Sequence, residues 1–323
     1  MITKIITEFK KHFSADGVHR SRLIQLKSLR KRYPNSPILK FAIHIMRKKM
    51  WLFPGADFIN NALFSLMEIN DAGLLTINGI TFNLKDPVAK KIFLLEYAEI
   101  FSTDDNFRIH HSSNLLFDEI MAIMLADEGS YQYDAVSLNE GDVVIDAGSN
   151  MGMFALFAAK YNQCKVYAFE PYPAVISLLS KNITNNNLDE KIKVVPLGLS
   201  NTICDVKFKI FSQDIWGASF VLNRKSKHAK WEEITIQCVS LDKWVKENQI
   251  TKIDFIKADI EGAERLLLQG ATEVLKTMQP KISICTYHLP DDPEVLEKII
   301  LDANPNYTII QEKKKLFAYV KSV

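Results

Sequence analysis

The feature that most constrains the fold of this chain is the stretch from Gly141 to Pro171, GDVVIDAGSNMGMFALFAAKYNQCKVYAFEP. A short apolar run around Val144 leads into a glycine-containing loop (148–152), and a segment with helical periodicity follows (153–161). A second apolar run then ends at Phe169. This order predicts a βαβ unit, in which a right-handed crossover joins two parallel strands. The chain is therefore predicted to have an α/β fold.

The glycines and the acid at the second strand end predict a nucleoside site. Because glycine has no Cβ, Gly148 and Gly152 allow the backbone to turn sharply and to approach a ligand closely. Glu170 lies 18 residues beyond Gly152, where a carboxylate can accept hydrogen bonds from both ribose hydroxyls. These residues together predict an adenosine-containing cofactor.

The composition of the loop favours one such cofactor. From Asp146 to Gly152 the loop reads D-x-G-x-N-x-G, with Asn150 as its polar member. Dinucleotide-binding loops read G-x-G-x-x-G and hold a pyrophosphate, which the carboxylate of Asp146 would repel. The same carboxylate would attract the ammonium and sulfonium groups of S-adenosylmethionine. The loop thus favours S-adenosylmethionine over NAD, although glycines required only for packing give a similar pattern.

Positive charge is concentrated at the N-terminus. The whole chain of 323 residues has a net charge of +2, yet residues 1–50 hold 13 lysine and arginine residues against 2 acidic ones. The basic cluster is consistent with a solvated helix face, with contact to an anionic substrate or peripheral membrane surface, or with nucleic-acid binding. Nucleic acid is the least favoured, because no aromatic residues interleave with the charges.

The chain is predicted to have two parts. Residues 1–127 form a mainly helical region, with a helix over Ser21–Arg32 and a hairpin that turns at Asn78-Gly79. Residues 128–323 form the cofactor-binding domain, whose seven-stranded, mostly parallel sheet ends with an antiparallel strand. A β insertion of two or three strands is expected at about 200–235, with a loop over 212–219.

The cysteines and the apolar segments point to a cytoplasmic protein. The four cysteines are widely spaced without a C-x-x-C pair, which is typical of buried thiols in a reducing compartment. The longest apolar region, Ile38 to Phe53, contains four basic residues, so no transmembrane segment is predicted. No secretory signal is predicted either.

Ionisable side chains recur at the strand ends of the predicted sheet, where open α/β sheets bind their ligands. In chain order, the strand-end residues are Asp146, Glu170, Gly198, Asp259, Glu261 and His288. We expect Gly198 to lie beside the adenine, Glu170 beside the ribose and Asp146 beside the methionine portion. Glu261 is assigned to the cofactor as well, on the sulfonium side.

His288 and Asp259 are the candidate catalytic residues. An alcohol is a poor nucleophile until it loses its proton, and histidine, with a pKa near 6.5, suits the role of base. We therefore expect His288 to act as base and Asp259 to orient it. Three alternatives remain: Asp259 and Glu261 only cap the following helix, His288 is an ordinary loop residue, or Asp259, Glu261 and His288, together with Asp291 or Asp292, bind a divalent metal. No fixed metal motif matches, so no metal is predicted.

Several motifs together resemble the FkbM-type methyltransferases over about residues 128–320. The shared residues are D-A-G-S-N-M-G at 146–152, F-E-P at 169–171, V-S-L-D at 239–242, I-D-F-I-K-A-D-I-E-G-A-E at 253–264, G-A at 270–271 and Y-H at 287–288. The resemblance implies a class I S-adenosylmethionine fold. It also implies O-methylation of sugars in surface glycans or of hydroxyls in secondary metabolites.

The leading hypothesis is therefore an S-adenosylmethionine-dependent O-methyltransferase that acts on a sugar, a glycan or a glycan precursor. An RNA methyltransferase is the enzymatic alternative, but the chain lacks the N-P-P-Y type tetrad expected for methylation of a base nitrogen. A cofactor-binding scaffold without activity is the non-enzymatic alternative. The acidic and imidazole side chains at the strand ends argue against a scaffold.

Overall fold

The computed structural model of the protein describes residues 15–36, 39–40, 42–44, 69–86, isolated positions between 89 and 120, and residues 129–211, 214–219 and 231–321. Most of the apolar region at 38–53 lies outside the described residues. Helix α1 spans Ala15–Arg32 and begins six residues earlier than predicted. None of the helices in the described ranges has both the length and the apolar character needed to cross a bilayer.

The predicted hairpin is present near the N-terminus. Strands β1 (Leu74–Ile77) and β2 (Ile80–Asn83) pair antiparallel. The turn residues have φ angles of 49° at Asn78 and 65° at Gly79, as a type I′ turn requires at both central positions.

The βαβ unit forms at the predicted position. Strand β3 (Val143–Ala147) leads through the glycine loop into α2 (Met153–Tyr161), and β4 (Lys165–Phe169) follows. The polypeptide then forms α3 (Pro173–Asn185) and β5 (Ile192–Val195).

A separate four-stranded sheet follows, in the order β6-β9-β7-β8. Its strands are β6 (Gly198–Leu199), β7 (Cys204–Phe211), β8 (Asp214–Ser219) and β9 (Trp231–Val239). The loop predicted over 212–219 is wrong, because β8 pairs antiparallel with β7. Asp214 and Gly217 are typical of turns rather than strands, which explains the error.

The remaining elements complete the main sheet. They are α4 (Leu241–Glu247), β10 (Phe255–Ala258), α5 (Glu264–Gln269), α6 (Thr272–Thr277), β11 (Lys281–Cys285), α7 (Asp292–Ala303), β12 (Tyr307–Glu312) and β13 (Lys315–Val320).

The main sheet confirms the predicted fold class. Its seven strands run in the order β12-β13-β11-β10-β3-β4-β5. Only β13 is antiparallel to its neighbours; the pairs from β11 to β5 are all parallel. Strand order turns back on itself between β3 and β10, so a cleft opens at the carboxyl ends of these strands.

Both faces of this sheet are covered. Val144 and Phe255 pack in the apolar cluster on one face, whereas the adjacent Ile145 and Ile256 pack in the cluster on the other. Because successive side chains of a strand point to opposite faces, a strand covered on both faces must be apolar throughout. A polar residue inside such a strand needs a buried partner, so ionisable side chains are expected mainly at the strand ends.

The N-terminal hairpin is fixed against the βαβ unit by hydrogen bonds. The side chains of Asn182 on α3 and of Asn186, which follows α3, accept hydrogen bonds from the β2 backbone at Asn83 and Thr81, each 2.8 Å long. Tyr161 on α2 donates to the carbonyl of Asn78. These contacts give hydrogen-bond partners to backbone groups on the outer edge of β2. They also join a part of the N-terminal region to the main domain. The predicted division at residue 127 stays a prediction.

Candidate active site

The glycine loop (residues 146–152) is held from both sides by the backbone. The amides of Gly148 and Ser149 both donate to the carbonyl of Phe169, each at 3.0 Å, and the Ser149 hydroxyl donates to the carbonyl of Asp146 at 2.8 Å. Asn150 adopts a φ of 48°, and its buried Oδ1 accepts no hydrogen bond from the described residues. An unused acceptor is thus available at the loop.

Packing, as well as the turn, requires glycine in this loop. Gly148 has a φ of 74°, and a Cβ at this position would lie 2.0 Å from the backbone oxygen of Asp259. At Gly152, with a φ of 89°, a Cβ would lie 2.5 Å from Leu179. Gly148 was predicted to let the backbone approach a ligand. In the structure, the backbone at Gly148 instead approaches the residue that follows strand β10.

Alanine at Gly148 is expected to cost about 2 kcal/mol more unfolding free energy than alanine at Gly141, because overpacking against an immovable backbone adds to the strain of positive φ. Gly141 is a matched control, since its φ is 76° but a Cβ there would meet nothing within 4 Å. Denaturant unfolding of both variants measures the difference. Equal losses would show that the β3 and β10 ends separate easily.

A buried ion pair lies beneath the loop. Lys257 of β10 and Asp146 of β3 are register partners on adjacent strands, and Lys257 Nζ lies 3.2 Å from Asp146 Oδ1. Lys257 also donates to the carbonyl of Gly148 at 2.8 Å. Asp146 is fully buried, so its charge is balanced inside the protein. Direct contact of Asp146 with a ligand stays a prediction.

Glu170 presents its carboxylate at the end of β4. Its two oxygens accept backbone hydrogen bonds from Tyr172 at 2.9 Å and from Asn150 at 3.1 Å. Burial raises the pKa of Glu170 to about 7, against the opposing effects of these two hydrogen bonds and of Lys257. Each oxygen retains a lone pair for a further donor, as ribose recognition requires.

The N-terminal region supplies one more carboxyl group to this site. Burial raises the pKa of Glu96 well above its ordinary value. The positive charge of Lys257 lowers this pKa, whereas the negative charges of Asp146, Asp259 and Glu170 raise it further. Glu96 therefore lies within electrostatic range of Asp146, Glu170 and Asp259. Nothing in the sequence pattern singled it out.

A second group of side chains lies at the ends of β10 and β11, and we name it the His288 cluster (Asp259, Glu261, Glu264 and His288). The Nδ1 atom of His288 lies 3.0 Å from Glu264 Oε1, and Nε2 lies 3.6 Å from Asp259 Oδ1 and 3.5 Å from Glu261 Oε2. The His288 side chain is only 1% exposed. The structure thus brings together the two candidate catalytic residues, Asp259 and His288, and Glu261, which was assigned to the cofactor.

The two tyrosines nearest the cluster contact Asp259. Tyr131 donates its hydroxyl to Asp259 Oδ2 at 2.7 Å, and Tyr287 donates to Oδ1 at 3.4 Å. Burial alone would raise the pKa of Asp259, but the charges of Lys257 and His288 and the Tyr131 hydrogen bond lower it overall. Asp259 is therefore an ionised acceptor. Through Tyr131, the segment before β3 contacts the residue that follows β10.

The surroundings of His288 favour a ring that keeps its proton. Burial lowers the pKa of His288, yet the hydrogen bond and charge of Glu264, with the charges of Asp259 and Glu261, raise it to about 9. At neutral pH such a ring donates rather than accepts protons. The base role of His288 stays a prediction, and these neighbours weigh against it.

The site geometry agrees with what comparison of the sequence with known families finds. The family model "Methyltransferase FkbM domain" matches residues 146–308, just over half of the chain. The chain belongs to this family. The resemblance inferred from the motifs is thereby confirmed, and the methyl donor of an FkbM methyltransferase domain is S-adenosylmethionine.

Three relatives illustrate the range of this FkbM family. "Methyltransferase sdnD" of Sordaria araneosa is 27% identical over 44% of this chain and 64% of its own length. "Hexuronic acid methyltransferase AglP" of Haloferax volcanii is 30% identical over 51% and 63%. "31-O-demethyl-FK506 methyltransferase FkbM" of Streptomyces tacrolimicus is 25% identical over 58% and 81%. The chain spans less than two thirds of the first two relatives.

The residues present fit the cofactor that the FkbM family uses. Glu170 offers two oriented oxygens at the strand end, and Asn150 Oδ1 is a buried acceptor without a partner among the described residues. Gly198 begins β6, where a Cβ would lie 2.7 Å from Cys238 Sγ, so its small size serves packing. Contact between Gly198 and the adenine stays a prediction.

Sequence reasoning assigned no role to Lys257, Glu264 or Tyr131, although all three belong to the site. A signal for Lys257 was present: a lysine within the four-residue buried strand β10, FIKA, requires a carboxylate partner, since an unpaired buried charge is very costly. Glu264 stands within the motif that carried the family resemblance. Its contact with His288 depends on the turn at Glu261, whose φ is 55°.

Proposed function

We propose that this protein is an S-adenosylmethionine-dependent O-methyltransferase that methylates a hydroxyl of a sugar or glycan precursor. One observation carries the proposal. The Glu170 carboxylate and the His288 cluster lie at the carboxyl ends of β4, β10 and β11, on either side of the glycine loop. A cofactor held on one side therefore faces a polar group of side chains on the other.

The cofactor side is formed by Glu170 and the glycine loop. When bound, S-adenosylmethionine supplies an electrophilic methyl group on a positively charged sulfur. Glu170 would accept hydrogen bonds from the ribose hydroxyls, and the loop would fix the position of the methionine portion. Positioning of this kind accounts for much of the rate enhancement in displacement reactions, because it removes the entropic cost of bringing reactants together.

The acceptor side is formed by Asp259 and the tyrosine hydroxyls beside it. Asp259 is ionised and accepts hydrogen bonds from Tyr131 and Tyr287, so it suits a donor hydroxyl of an acceptor. Tyr287 is 37% exposed, so its aromatic side chain is partly accessible to a sugar. As the acceptor oxygen attacks the methyl carbon, its proton must pass to a neighbouring group, for which Asp259 is placed.

The choice of a hydroxyl on a sugar is supported by the relatives. The name of one refers to a hexuronic acid and the name of another to an O-linked methyl group. Secondary-metabolite hydroxyls remain the other acceptor class that the family resemblance implies. Peripheral contact of the basic N-terminus with an anionic surface stays a prediction.

Transfer of a labelled methyl group tests this function. The purified protein is incubated with S-adenosylmethionine labelled in the methyl group and with separated sugar, lipid, RNA and small-molecule fractions. We expect label in the sugar fraction as an alkali-stable methyl ether, and none with Glu170→Ala. Label in RNA, or label that alkali releases as from a methyl ester, would contradict the proposal.

A further inference from the structure

The His288 cluster contains polar atoms that the fold leaves unsatisfied. Glu264 is fully buried; its Oε1 accepts a hydrogen bond from the Ile260 amide at 2.8 Å, while its Oε2 has no partner among the described residues. The Nε2 atom of His288 also lacks an aligned hydrogen bond within the described structure. Buried polar atoms are almost always hydrogen-bonded, so exceptions require an explanation.

The distances around these atoms match the span of one coordinated ion. One donor atom from each of Asp259, Glu264 and His288 lies within 4.8 Å of the other two. Metal–ligand bonds of about 2.0–2.4 Å place two donors of one ion at most about 4.8 Å apart. Glu261 Oε2, at 3.5 Å from His288 Nε2, is a further donor at the same place.

A structural ion pair explains these positions less well. A protonated ring that served only to neutralise its acidic neighbours would point its N–H groups at them. Here, Nδ1 does face Glu264 at 3.0 Å, but Nε2 lies 3.5 to 3.6 Å from Glu261 and Asp259 and has no aligned partner among the described residues. A cation would complete this arrangement, because Nε2 and the unpaired Oε2 of Glu264 both lack a partner among the described residues.

We propose that Asp259, Glu264 and His288 bind a divalent cation at the acceptor side of the site. Imidazole together with carboxylates suits Mn²⁺ or Zn²⁺ better than Mg²⁺, which prefers oxygen ligands alone. The role of the ion rests on the proposed function: next to Asp259 it would lower the pKa of the acceptor hydroxyl. Binding of the cation itself does not depend on that role.

Titration of the metal-depleted full-length protein with Mn²⁺, followed by electron paramagnetic resonance, tests the site. The wild type should bind one Mn²⁺, with nitrogen coupling from His288 in the spin-echo spectrum. Glu264→Gln and His288→Gln should each weaken binding about tenfold or more. Asp291→Asn is the matched control, because its carboxylate is 64% exposed and pairs with Arg265 instead, so its affinity should equal that of the wild type.

Three outcomes would each overturn the proposal: a wild type that binds no Mn²⁺ at millimolar concentration, binding without nitrogen coupling, or binding that survives both substitutions. The wild-type spectrum decides the matter even where a variant does not fold. Calorimetric binding of S-adenosylhomocysteine is measured in parallel. Cofactor binding without Mn²⁺ binding would refute only the cation site, whereas Mn²⁺ binding without methyl transfer would refute only the proposed function.

Discussion

Replacing Lys257 with methionine is expected to lower the free energy of unfolding by about 3 to 5 kcal/mol. The reason is that Asp146, which is fully buried, would keep its charge without the partner that lies 3.2 Å away. Removing one member of a buried ion pair leaves the other charge uncompensated in a medium that solvates it poorly. The substitution also removes the hydrogen bond to the carbonyl of Gly148, so the glycine loop should loosen as well.

Two comparisons separate this charge effect from a general loss of packing. Lys252→Met removes a lysine that also forms an ion pair, 2.9 Å from Asp254, but the Lys252 side chain is 66% exposed. An exposed pair is worth about 1 kcal/mol or less, so this control should remain close to wild type. The double variant Lys257→Met with Asp146→Asn should be more stable than Lys257→Met alone.

Urea unfolding of these variants, followed by circular dichroism, measures the difference. If Lys257→Met were as stable as Lys252→Met, Lys257 would not be needed to compensate the buried charge of Asp146. The loop would then need another explanation for its position.

Replacing Glu170 with alanine is expected to weaken S-adenosylmethionine binding about a hundredfold or more. Two hydrogen bonds from ribose hydroxyls to a carboxylate would be lost, and each such charge-assisted bond contributes about 1.5 to 3 kcal/mol. The fold should tolerate the change, because it removes a carboxyl group whose ionisation burial disfavours. Isothermal titration calorimetry measures the affinity, and thermal unfolding at the same pH shows that the variant is folded.

The pH dependence of the same residue gives a second, independent expectation. The pKa of Glu170 is raised to about 7, so the ionised form that accepts hydrogen bonds predominates only above that pH. Affinity for the cofactor should therefore be about tenfold lower at about pH 6 than at about pH 8. Glu170→Gln should show no such dependence, and an equal dependence in that variant would assign the titration to another group.

Stability should change with pH in the opposite direction. A carboxyl group whose pKa is higher in the folded than in the unfolded state stabilises the fold below its unfolded pKa, and this contribution is lost as the pH rises to the folded pKa. Between about pH 5 and about pH 8 the wild type should lose about 2 kcal/mol relative to Glu170→Gln. The unliganded protein thus gains binding capacity over the same pH range in which it loses stability.

The parts of the fold that sequence alone predicted are those with strong local signals. Helix α2 spans the predicted residues because apolar side chains recur with helical period after a glycine turn, and the hairpin at Asn78-Gly79 forms because both positions tolerate positive φ. Strand β8 was missed because it contains Asp214 and Gly217, and its pairing with β7 is decided by the neighbouring strand rather than by its own composition.

The sequence predicted those residues of the candidate site that lie at the ends of strands. Glu170, Asp259 and His288 lie at the predicted edge of the sheet because parallel strands end together. The structural role of Lys257 was not predicted, because its partner Asp146 had been assigned to the ligand. The two residues become neighbours only through the pairing of β3 with β10. Glu96 comes from a distant part of the chain, and only tertiary structure places it there.

The behaviour of His288 shows the same limit. A histidine at a strand end suggests a base because its ordinary pKa is near neutrality. The neighbours that decide its protonation are contributed by the turn after β10 and by α5, and Glu264 holds Nδ1 at 3.0 Å. Spacing in the sequence does not reveal such a contact.

Calorimetric titration of the wild-type protein with S-adenosylmethionine, and separately with NAD, tests the central claim most directly. Glu170 and the glycine loop predict one S-adenosylmethionine per chain, with an affinity that falls below about pH 7 and is lost in Glu170→Ala. Tighter binding of NAD, or binding of S-adenosylmethionine that Glu170→Ala leaves unchanged, would contradict the account.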